Sequence, residues 1–394
     1  MRFYRGIPAL LMLLFVFIRP SAAQTLSEDT HWQGQLSFAE TVRVQAGVTL
    51  TVESGAEVHF AAGALDVAGT LQARDARFHG EGWQGIILRG GADLLERCTI
   101  SGAATGVQVM GGAPRLIDVK VEGGTTGIEL RRRSGAQLSG CTIRDQAEVG
   151  LFVKDESTPR VERCLFEKNG RFGVYLHRSA PQLFSGNRLV DNPVGLMVAW
   201  YGTDPEIRNN EFEQNGIAIQ VDRAARPLVT GNRIHDNGTG LLLSRRADAR
   251  VRRNLVGDNR IGIQVEYSSY PVIRENDLAG NGMALVLHHQ SSAWEKANGE
   301  AMRNKQSFAR GPFSRDASGA KEAAPPPAVL TGTVDARRNW WGEDATTQLQ
   351  ANQGRGNQIF IHDSRDEPFF ADGGVNYPLD RVELVPWREE PIFP

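Results

Sequence analysis

The sequence has few cysteines, almost no net charge and, after its N-terminal segment, no long apolar run. Three cysteines in 394 residues do not make the disulfide framework that holds small secreted domains together. A net charge of −2 gives the chain no attraction to nucleic acid, because proteins that bind nucleic acid carry an excess of basic residues. After residue 23 no segment is apolar enough to cross a bilayer. We therefore expect neither a nucleic-acid partner nor a membrane span in the mature chain.

The N-terminal segment, residues 1–23, has the pattern of a secretory signal peptide. Two arginines near its start precede an apolar stretch, and small residues end at Ala23, where we expect cleavage. A retained membrane anchor is the alternative. It is disfavoured because the apolar run between Pro8 and Arg19 is shorter than the roughly 20 residues that a spanning helix needs. The sequence therefore predicts an exported protein.

The main positive signal is a repeat with a period of about 22 residues. A Pro or Ala opens each of the clearest units: Pro159, Pro181, Pro205, Pro227, Ala249 and Pro271. An Asn stands ten or eleven residues later in each: Asn169, Asn192, Asn215, Asn237, Asn259 and Asn281. A Gly or Ala then precedes a short run in which every second residue is branched and apolar, such as Val174 and Leu176. This alternation predicts strands with one buried face.

A unit of this length has room for short strands and Asn or Gly corners, but not for a crossover helix. Each strand can then bury its apolar face only by stacking on its copy in the next unit, about 4.8 Å away. We predict an all-β parallel solenoid in which equivalent asparagines form hydrogen-bonded ladders. Cys141 and Cys164 stand where later units have an Asn, which favours small buried stacking residues over a metal site. A solenoid of helical hairpins is the alternative, and the Gly and Asn residues inside the period argue against it.

The repeat also divides the chain into sections. The solenoid needs atypical terminal units to cover its core, and a stretch that loses the period and gains charge, Ala and Pro is typical of an irregular insertion. The predicted sections are a signal peptide (1–23), an N-terminal β-rich section and cap continuous with the solenoid (24–92), the regular repeats (93–292), an irregular insertion (293–329), and the final rung with a C-terminal cap (330–394).

Three stretches carry a resemblance to a known family: "GVTLTVESGAEVHF", "WQGI" and "NWWG". With the repeats, they resemble the right-handed parallel β-helix proteins exported by Gram-negative bacteria. This superfold includes pectate lyases, polygalacturonases, alginate epimerases and a periplasmic protein associated with copper-site maturation in nitrous oxide reduction. The resemblance implies a right-handed β-helix located in the periplasm or outside the cell of a Gram-negative bacterium. Trp340 and Trp341 are interpreted as part of the cap, with sugar stacking by one of them as the alternative.

The resemblance is specific for the fold and implies no particular chemistry. The signature motifs of the alginate epimerases and polygalacturonases are missing, and so is the acidic calcium cluster of the pectate lyases. Catalysis therefore has to be sought in the residues themselves.

Strand alternation identifies an outward-facing surface. Counting from the Gly or Ala of each unit, we expect the second and fourth residues to face solvent and the first and third to face the core. This surface and the corner after it combine aromatic rings, which suit sugar rings, with arginines, which hold carboxylates through two bonds. The candidate binding residues are Phe152, Tyr175, Arg178, Trp200, Arg223, Arg245 and Tyr267. The alternative is that outward ladders of this kind only stabilise the sheet.

The same surface carries candidate catalytic and metal-binding side chains. Asp222 and Glu266 should lie two rungs apart, about 9.6 Å by strand spacing, close to the roughly 6.5–9.5 Å between the carboxyl groups of inverting glycosidases. His177 could act as the base of a lyase. His288 and His289 form the densest histidine pair and are the candidate metal ligands.

The leading prediction is an exported β-helix scaffold that binds carbohydrate, in particular an acidic polysaccharide or surface glycan, along this face. One alternative is a polysaccharide lyase or glycoside hydrolase acting on the same face. Another is a periplasmic copper-handling or assembly factor. The sequence identifies no cofactor and leaves calcium and copper open.

Overall fold

The computed structural model of the protein describes residues 24–303 and 330–393. Within these residues three long sheets of parallel strands wind around one core, so the predicted all-β parallel solenoid is confirmed. The proposed signal peptide and residues 304–329 of the predicted insertion lie outside the described part. In that part, no helix has the length and apolar character needed to span a membrane.

We number the strands β1–β41 in chain order and name the long sheets A, B and C. Successive strands of one sheet come from successive turns of the chain, and we call each turn a rung. Sheet A has 14 strands: β1 Gln24–Leu26, β4 Val42–Val44, β7 Ala64–Val67, β10 Gly85–Leu88, β13 Thr105–Met110, β16 Thr126–Arg131, β19 Val149–Val153, β22 Phe172–His177, β25 Val194–Ala199, β28 Ile217–Asp222, β31 Thr239–Ser244, β34 Ile261–Glu266, β36 Met283–His288 and β38 Ile361–His362.

Sheets B and C complete the rungs. Sheet B has 14 strands: β2 Thr30–Trp32, β5 Thr49–Val52, β8 Thr70–Arg74, β11 Leu94–Glu96, β14 Arg115–Ile117, β17 Gln137–Ser139, β20 Arg160–Glu162, β23 Leu183–Ser185, β26 Glu206–Arg208, β29 Leu228–Thr230, β32 Arg250–Arg252, β35 Val272–Arg274, β37 Thr333–Asp335 and β41 Arg381–Glu383. Sheet C has 11 strands: β3 Gln35–Phe38, β6 Glu57–Phe60, β9 Arg77–Trp83, β12 Thr99–Ala103, β15 Lys120–Glu122, β18 Thr142–Arg144, β21 Leu165–Glu167, β24 Arg188–Val190, β27 Glu211–Glu213, β30 Arg233–His235 and β33 Leu255–Gly257.

The core lies between the three sheets, and the branched residues found in the repeat fill it. On β22, Val174 and Leu176 are fully buried, whereas Tyr175 and His177 are partly exposed. Each aliphatic side chain buried in this way stabilises the fold by roughly 1.5–3 kcal/mol. Since a strand of six residues cannot provide such a core alone, its burial depends on the rungs above and below.

Two columns of buried asparagines fix the corners, as the sequence predicted. In each column the side-chain amide donates a hydrogen bond to the amide oxygen one rung on. The bonds are 2.9–3.1 Å long along Asn169, Asn192, Asn215, Asn237, Asn259 and Asn281. They are 2.9–3.0 Å long along Asn187, Asn210, Asn232, Asn254, Asn276 and Asn339.

The second column begins on the cysteines and ends in the C-terminal motif. Cys141 and Cys164 are buried and free, and the backbone N–H of Cys164 donates to Asn187 at 2.9 Å. Asn339 belongs to the "NWWG" stretch and follows Asn276 in the ladder although 63 residues separate them. The ladder therefore carries the rung register across the insertion.

A helix occupies the start of the segment for which the sequence predicted an irregular insertion. Helix α1, Ser292–Asn298, follows β36. Its Glu295 is fully buried and accepts hydrogen bonds from Arg246 at 2.7 Å and from Arg303 at 3.2 Å. These charged hydrogen bonds fix the helix against the corner of the solenoid.

The remaining C-terminal elements lie on the last rungs. Helix α2, Glu343–Asn352, follows the "NWWG" stretch. Trp341 is buried and its ring lies 5.4 Å from that of Phe360. An antiparallel hairpin of β39, Phe369–Asp372, and β40, Val375–Pro378, precedes β41.

Candidate functional site

A groove of about 850 Å³ crosses several rungs on the outer face of sheet A. Its floor has one residue from each of five neighbouring strands, and each is the second residue after the Gly or Ala of its unit: Glu129, Phe152, Tyr175, Met197 and Gln220. One wall includes Arg171 and Phe172 from the start of β22, and the other includes Asp222, Arg223 and Arg245 from the strand ends and the corner. The row that alternation predicted as outward-facing therefore forms the floor of this groove.

The candidate residues from the sequence divide into three groups. Phe152, Tyr175, Asp222, Arg223 and Arg245 line the groove. His177 and Arg178 line a neighbouring cavity of about 530 Å³, and Trp200 stacks on arginines of both sites. Glu266, Tyr267, His288 and His289 line neither of these two cavities.

The aromatic floor is a stack of neighbouring rings. Phe152 and Tyr175 are partners in the β19–β22 register, and their ring centroids are 5.0 Å apart at an interplanar angle of 8°. Phe172 adds a third ring whose centroid is 5.2 Å from that of Tyr175. All three side chains are half-buried. They provide a continuous apolar surface that a planar or ring-shaped ligand can cover.

Glu129, the acidic residue of the groove floor, is held by contacts with side chains on the neighbouring rungs. The Glu129 carboxylate lies 2.5 Å from the Lys154 ammonium and accepts a 2.6 Å bond from Gln108. Burial alone would raise the pKa of Glu129, but these two donors outweigh it and lower the pKa below its ordinary value. Glu129 is therefore ionised at neutral pH and is not a proton donor.

Asp222 is also held by hydrogen bonds. It is buried, whereas the sequence predicted that it would face solvent. The residue is 1% exposed, and both its oxygens accept hydrogen bonds of 2.5 Å from Arg245. The backbone N–H of Arg223 donates to it at 2.9 Å. A carboxylate held by a two-bond ion pair has both oxygens engaged, which does not suit the general acid of a hydrolase. Glu266, its proposed partner, lies outside the groove.

His177 lies where the groove meets the neighbouring cavity. Its ring centroid is 5.8 Å from those of both Tyr175 and Trp200. Burial lowers the pKa of His177 below its ordinary value, and the charge of Arg178 lowers it further. The imidazole is therefore neutral at neutral pH, which is the state required of a proton acceptor.

Trp200 stacks between two of the predicted arginines. The guanidinium of Arg178 lies 4.6 Å from the ring centroid and that of Arg223 lies 5.4 Å from it. Since Arg178 belongs to the preceding rung and Arg223 to the following one, the two cations approach the ring from opposite sides. The indole therefore serves to hold two arginines and does not offer an open face.

Among the described residues, the candidate metal ligands His288 and His289 do not belong to a group of three with metal-ligand spacing. His288 and His289 stack at 3.9 Å, with His288 3.5 Å from Glu266 and His289 3.3 Å from the Tyr267 hydroxyl. In the described residues, the group with metal-ligand spacing is Glu211, Glu213 and His235 on sheet C. Arg188 forms ion pairs with both of those glutamates, so the two carboxylates already share a cation.

Alternation alone did not identify Phe172 and Arg171 as groove residues. In β22 two consecutive residues, Gly173 and Val174, face inwards, so the alternation reverses and Phe172 emerges on the same face as Tyr175. A side chain larger than a methyl group does not fit this bend, because even a Cβ on Gly173 would lie 2.7 Å from the carbonyl oxygen of Gly195 and something would have to shift. The Gly or Ala that precedes each apolar run is the sequence feature that could have indicated this reversal.

Comparison with known proteins identifies the architecture. The chain matches the family model described as the right handed beta helix region over residues 64–212 and 198–298, which together cover more than half of its length. No curated protein matches the chain. A crystal structure of pectate lyase Pel9A is similar, with 13% identity, 73% of this chain and 80% of that chain covered, and a TM-score of 0.34. A likeness of this degree carries no argument about activity.

Proposed function

The chain belongs to the family of right-handed β-helix proteins, and we propose that it binds an acidic polysaccharide in the groove on the outer face of sheet A. The observation that carries this proposal is the stacked pair Phe152 and Tyr175 on the groove floor, with Arg171 and Arg223 on opposite walls. Binding sites of this kind combine an apolar surface with a few charged groups that fix orientation.

The two parts of the groove suit two parts of the ligand. The half-exposed rings of Phe152 and Tyr175 would cover the C–H faces of sugar rings, and the arginine forks would hold carboxylates through paired hydrogen bonds. The groove is open along the sheet, so a polymer can pass through it and extend in both directions.

Titration calorimetry of the mature protein with acidic and neutral oligosaccharides of equal length tests this proposal. We expect the acidic oligosaccharides to bind more tightly, and their affinity to fall as salt is added, because exposed charges are screened at high ionic strength. Equal affinity for neutral oligosaccharides would contradict the role of the arginines. Absence of binding to every glycan would overturn the proposal.

His177 favours a polysaccharide lyase as the second candidate function. A neutral imidazole next to Tyr175 and Arg178 places a proton acceptor beside a ring surface and a cation that could hold a carboxylate. Incubation of acidic glycans with the protein should then generate unsaturated products that absorb in the ultraviolet, and His177→Gln should abolish them while leaving binding intact. Formation of reducing ends without ultraviolet absorption would instead indicate hydrolysis.

We place this function outside the cytoplasm, in the periplasm or at the cell surface, on the pattern of residues 1–23. N-terminal sequencing of protein from the native compartment should give Gln24 as the first residue. Recovery of the uncleaved chain from the cytoplasm would contradict export.

A further inference from the structure

The chain leaves sheet A through a corner residue with left-handed backbone in every rung from β16 to β34. We call these residues the corner ladder, and their φ angles lie between 49° and 90°: Arg132, Asp155, Arg178, Trp200, Arg223, Arg245 and Tyr267. Most L side chains raise the energy of this backbone by roughly 1–2 kcal/mol, whereas Gly, Asn and Asp adopt it readily. Of the seven residues, Asp155 alone belongs to the favoured types.

The other two corners of the same rungs provide an internal comparison. After sheet B, four of the seven left-handed positions hold the favoured types: Gly140, Gly186, Asn209 and Gly231. After sheet C, five of the seven do so: Asp145, Asp191, Asp236, Asp258 and Gly280. The large side chains of the corner ladder are therefore not what the backbone prefers. Retention of an unfavourable backbone state at one surface points to a function of that surface.

The arginines of the corner ladder that are not held by a two-bond ion pair occupy alternate rungs. Within the described residues, Arg132 and Arg178 form no ion pair, whereas Arg223 forms a long ion pair of 3.7 Å with Asp222 and stacks on Trp200. Arg245 is different, because both its bonds go to Asp222. Arg132 and Arg178 are two rungs apart, and so are Arg178 and Arg223, which is about 9.6 Å by strand spacing.

The two rungs between these arginines contribute no cation of the corner ladder. Asp155 lies between Arg132 and Arg178; its side chain is 51% exposed and lies 3.7 Å from Arg131. Trp200 lies between Arg178 and Arg223 and offers no charge. By stacking on both guanidiniums Trp200 also restricts their motion, which lowers the entropy lost when a ligand binds.

We infer that the corner ladder reads the charge spacing of a linear glycan in which anionic and uncharged sugars alternate. If one sugar of an extended chain spans one rung, about 4.8 Å, its carboxylates would face Arg132, Arg178 and Arg223, and its uncharged sugars would lie at the rungs of Asp155 and Trp200. A polyuronide with a carboxylate on every sugar would bring a negative charge to Asp155, and this repulsion discriminates against it. This inference rests on the proposed function and names the class of its ligand.

Calorimetry with three oligosaccharides of equal length tests the inference: hyaluronan, oligogalacturonate and an uncharged cellulose fragment. We expect hyaluronan, in which uronate and N-acetylated sugars alternate, to bind at least tenfold more tightly than oligogalacturonate. The variant Asp155→Asn should raise the affinity for oligogalacturonate severalfold and leave that for hyaluronan unchanged. Because Asn also adopts the left-handed backbone, this variant should keep the fold. Arg178→Gln should weaken both acidic ligands.

The outcomes separate this inference from the proposed function. Equal or tighter binding of oligogalacturonate, or no effect of Asp155→Asn on it, would overturn the charge spacing while leaving acidic-glycan binding intact. Failure of both acidic ligands to bind would overturn the proposed function and the inference with it.

Discussion

Phe152 and Tyr175, one rung apart on sheet A, stack with centroids 5.0 Å apart and planes 8° from parallel. Such a pair on a solvent-facing row leaves apolar surface exposed where a polar pair would have been adequate for solubility. The groove around the two rings, with arginines on both walls, makes this exposure functionally informative.

Replacement of Tyr175 by Ala should weaken the binding of an acidic oligosaccharide by at least about 1 kcal/mol, the size expected for a central aromatic anchor. The lost ring removes stacking area from the middle of the groove floor. Calorimetric affinities of the variant and wild type check this prediction. Leu242→Ala is the matched control, because Leu242 lies in the same row, two rungs beyond Met197, and does not line the groove.

The variant Trp200→Ala should lower the free energy of unfolding by about 1–2 kcal/mol, because two cation–π contacts are lost at roughly 0.5–1 kcal/mol each. Glycan binding should weaken as well, since Arg178 and Arg223 lose the ring that aligns them. Urea denaturation and calorimetry on the same preparation measure both effects. A destabilised variant with unaltered binding would remove Trp200 from the binding surface, and unaltered stability would contradict its stacking role.

Substitution of Asn215 by Ala should destabilise the solenoid by at least about 2 kcal/mol. The buried backbone N–H of Asn192 donates to Asn215 and would lose its acceptor, and a buried group left unpaired costs roughly 1–3 kcal/mol. The hydrogen bonds from the Asn215 amide to the carbonyls of Leu189 and Glu213 are lost as well. Denaturant midpoints give the measurement. Gln182→Ala, at an exposed position, should change stability by less than about 0.5 kcal/mol; a similar loss in both variants would argue against the ladder.

The Glu129→Gln variant should show a pH-dependent loss of stability. Because Lys154 and Gln108 hold the pKa of Glu129 below its ordinary 4.5 in the folded state, its contribution is present above that value and is lost as pH falls through the folded-state pKa. We expect a loss of about 1.5–3 kcal/mol at pH 7 that shrinks in acid. Thermal unfolding across pH checks this. Glu148→Gln, exposed and 3.8 Å from Arg171, should show little change at any pH.

Much of the fold was predictable because it is periodic. The spacing of Asn192, Asn215 and Asn237 gave the rung length, and the alternation at Val174 and Leu176 gave the buried face. Both signals are local and recur in each rung, so a mistaken interpretation of one unit does not change the prediction for the others. Helix α1 lies outside the period, and its buried Glu295 accepts hydrogen bonds from Arg246, 49 residues earlier in the chain, and from the nearby Arg303.

The candidate site was only partly predictable from the same signals. The row containing Phe152 and Tyr175 followed from alternation and forms the groove floor. Phe172 did not follow, because the strand bends at Gly173 and reverses the alternation before it. The sequence likewise placed Asp222 on the solvent face but could not indicate that Arg245 covers it.

The sequence by itself determined the repeat, the parallel stacking and the identity of the residues in each outward column, because these depend on spacing along the chain. The tertiary structure decided which of those residues are available to bind a ligand. Arg132 and Arg178 carry the same side chain as Arg245, yet Arg245 is bound to the buried Asp222 while the other two form no ion pair with any described residue. Pairing of this kind depends on side-chain contacts across rungs, and those contacts do not repeat with the period.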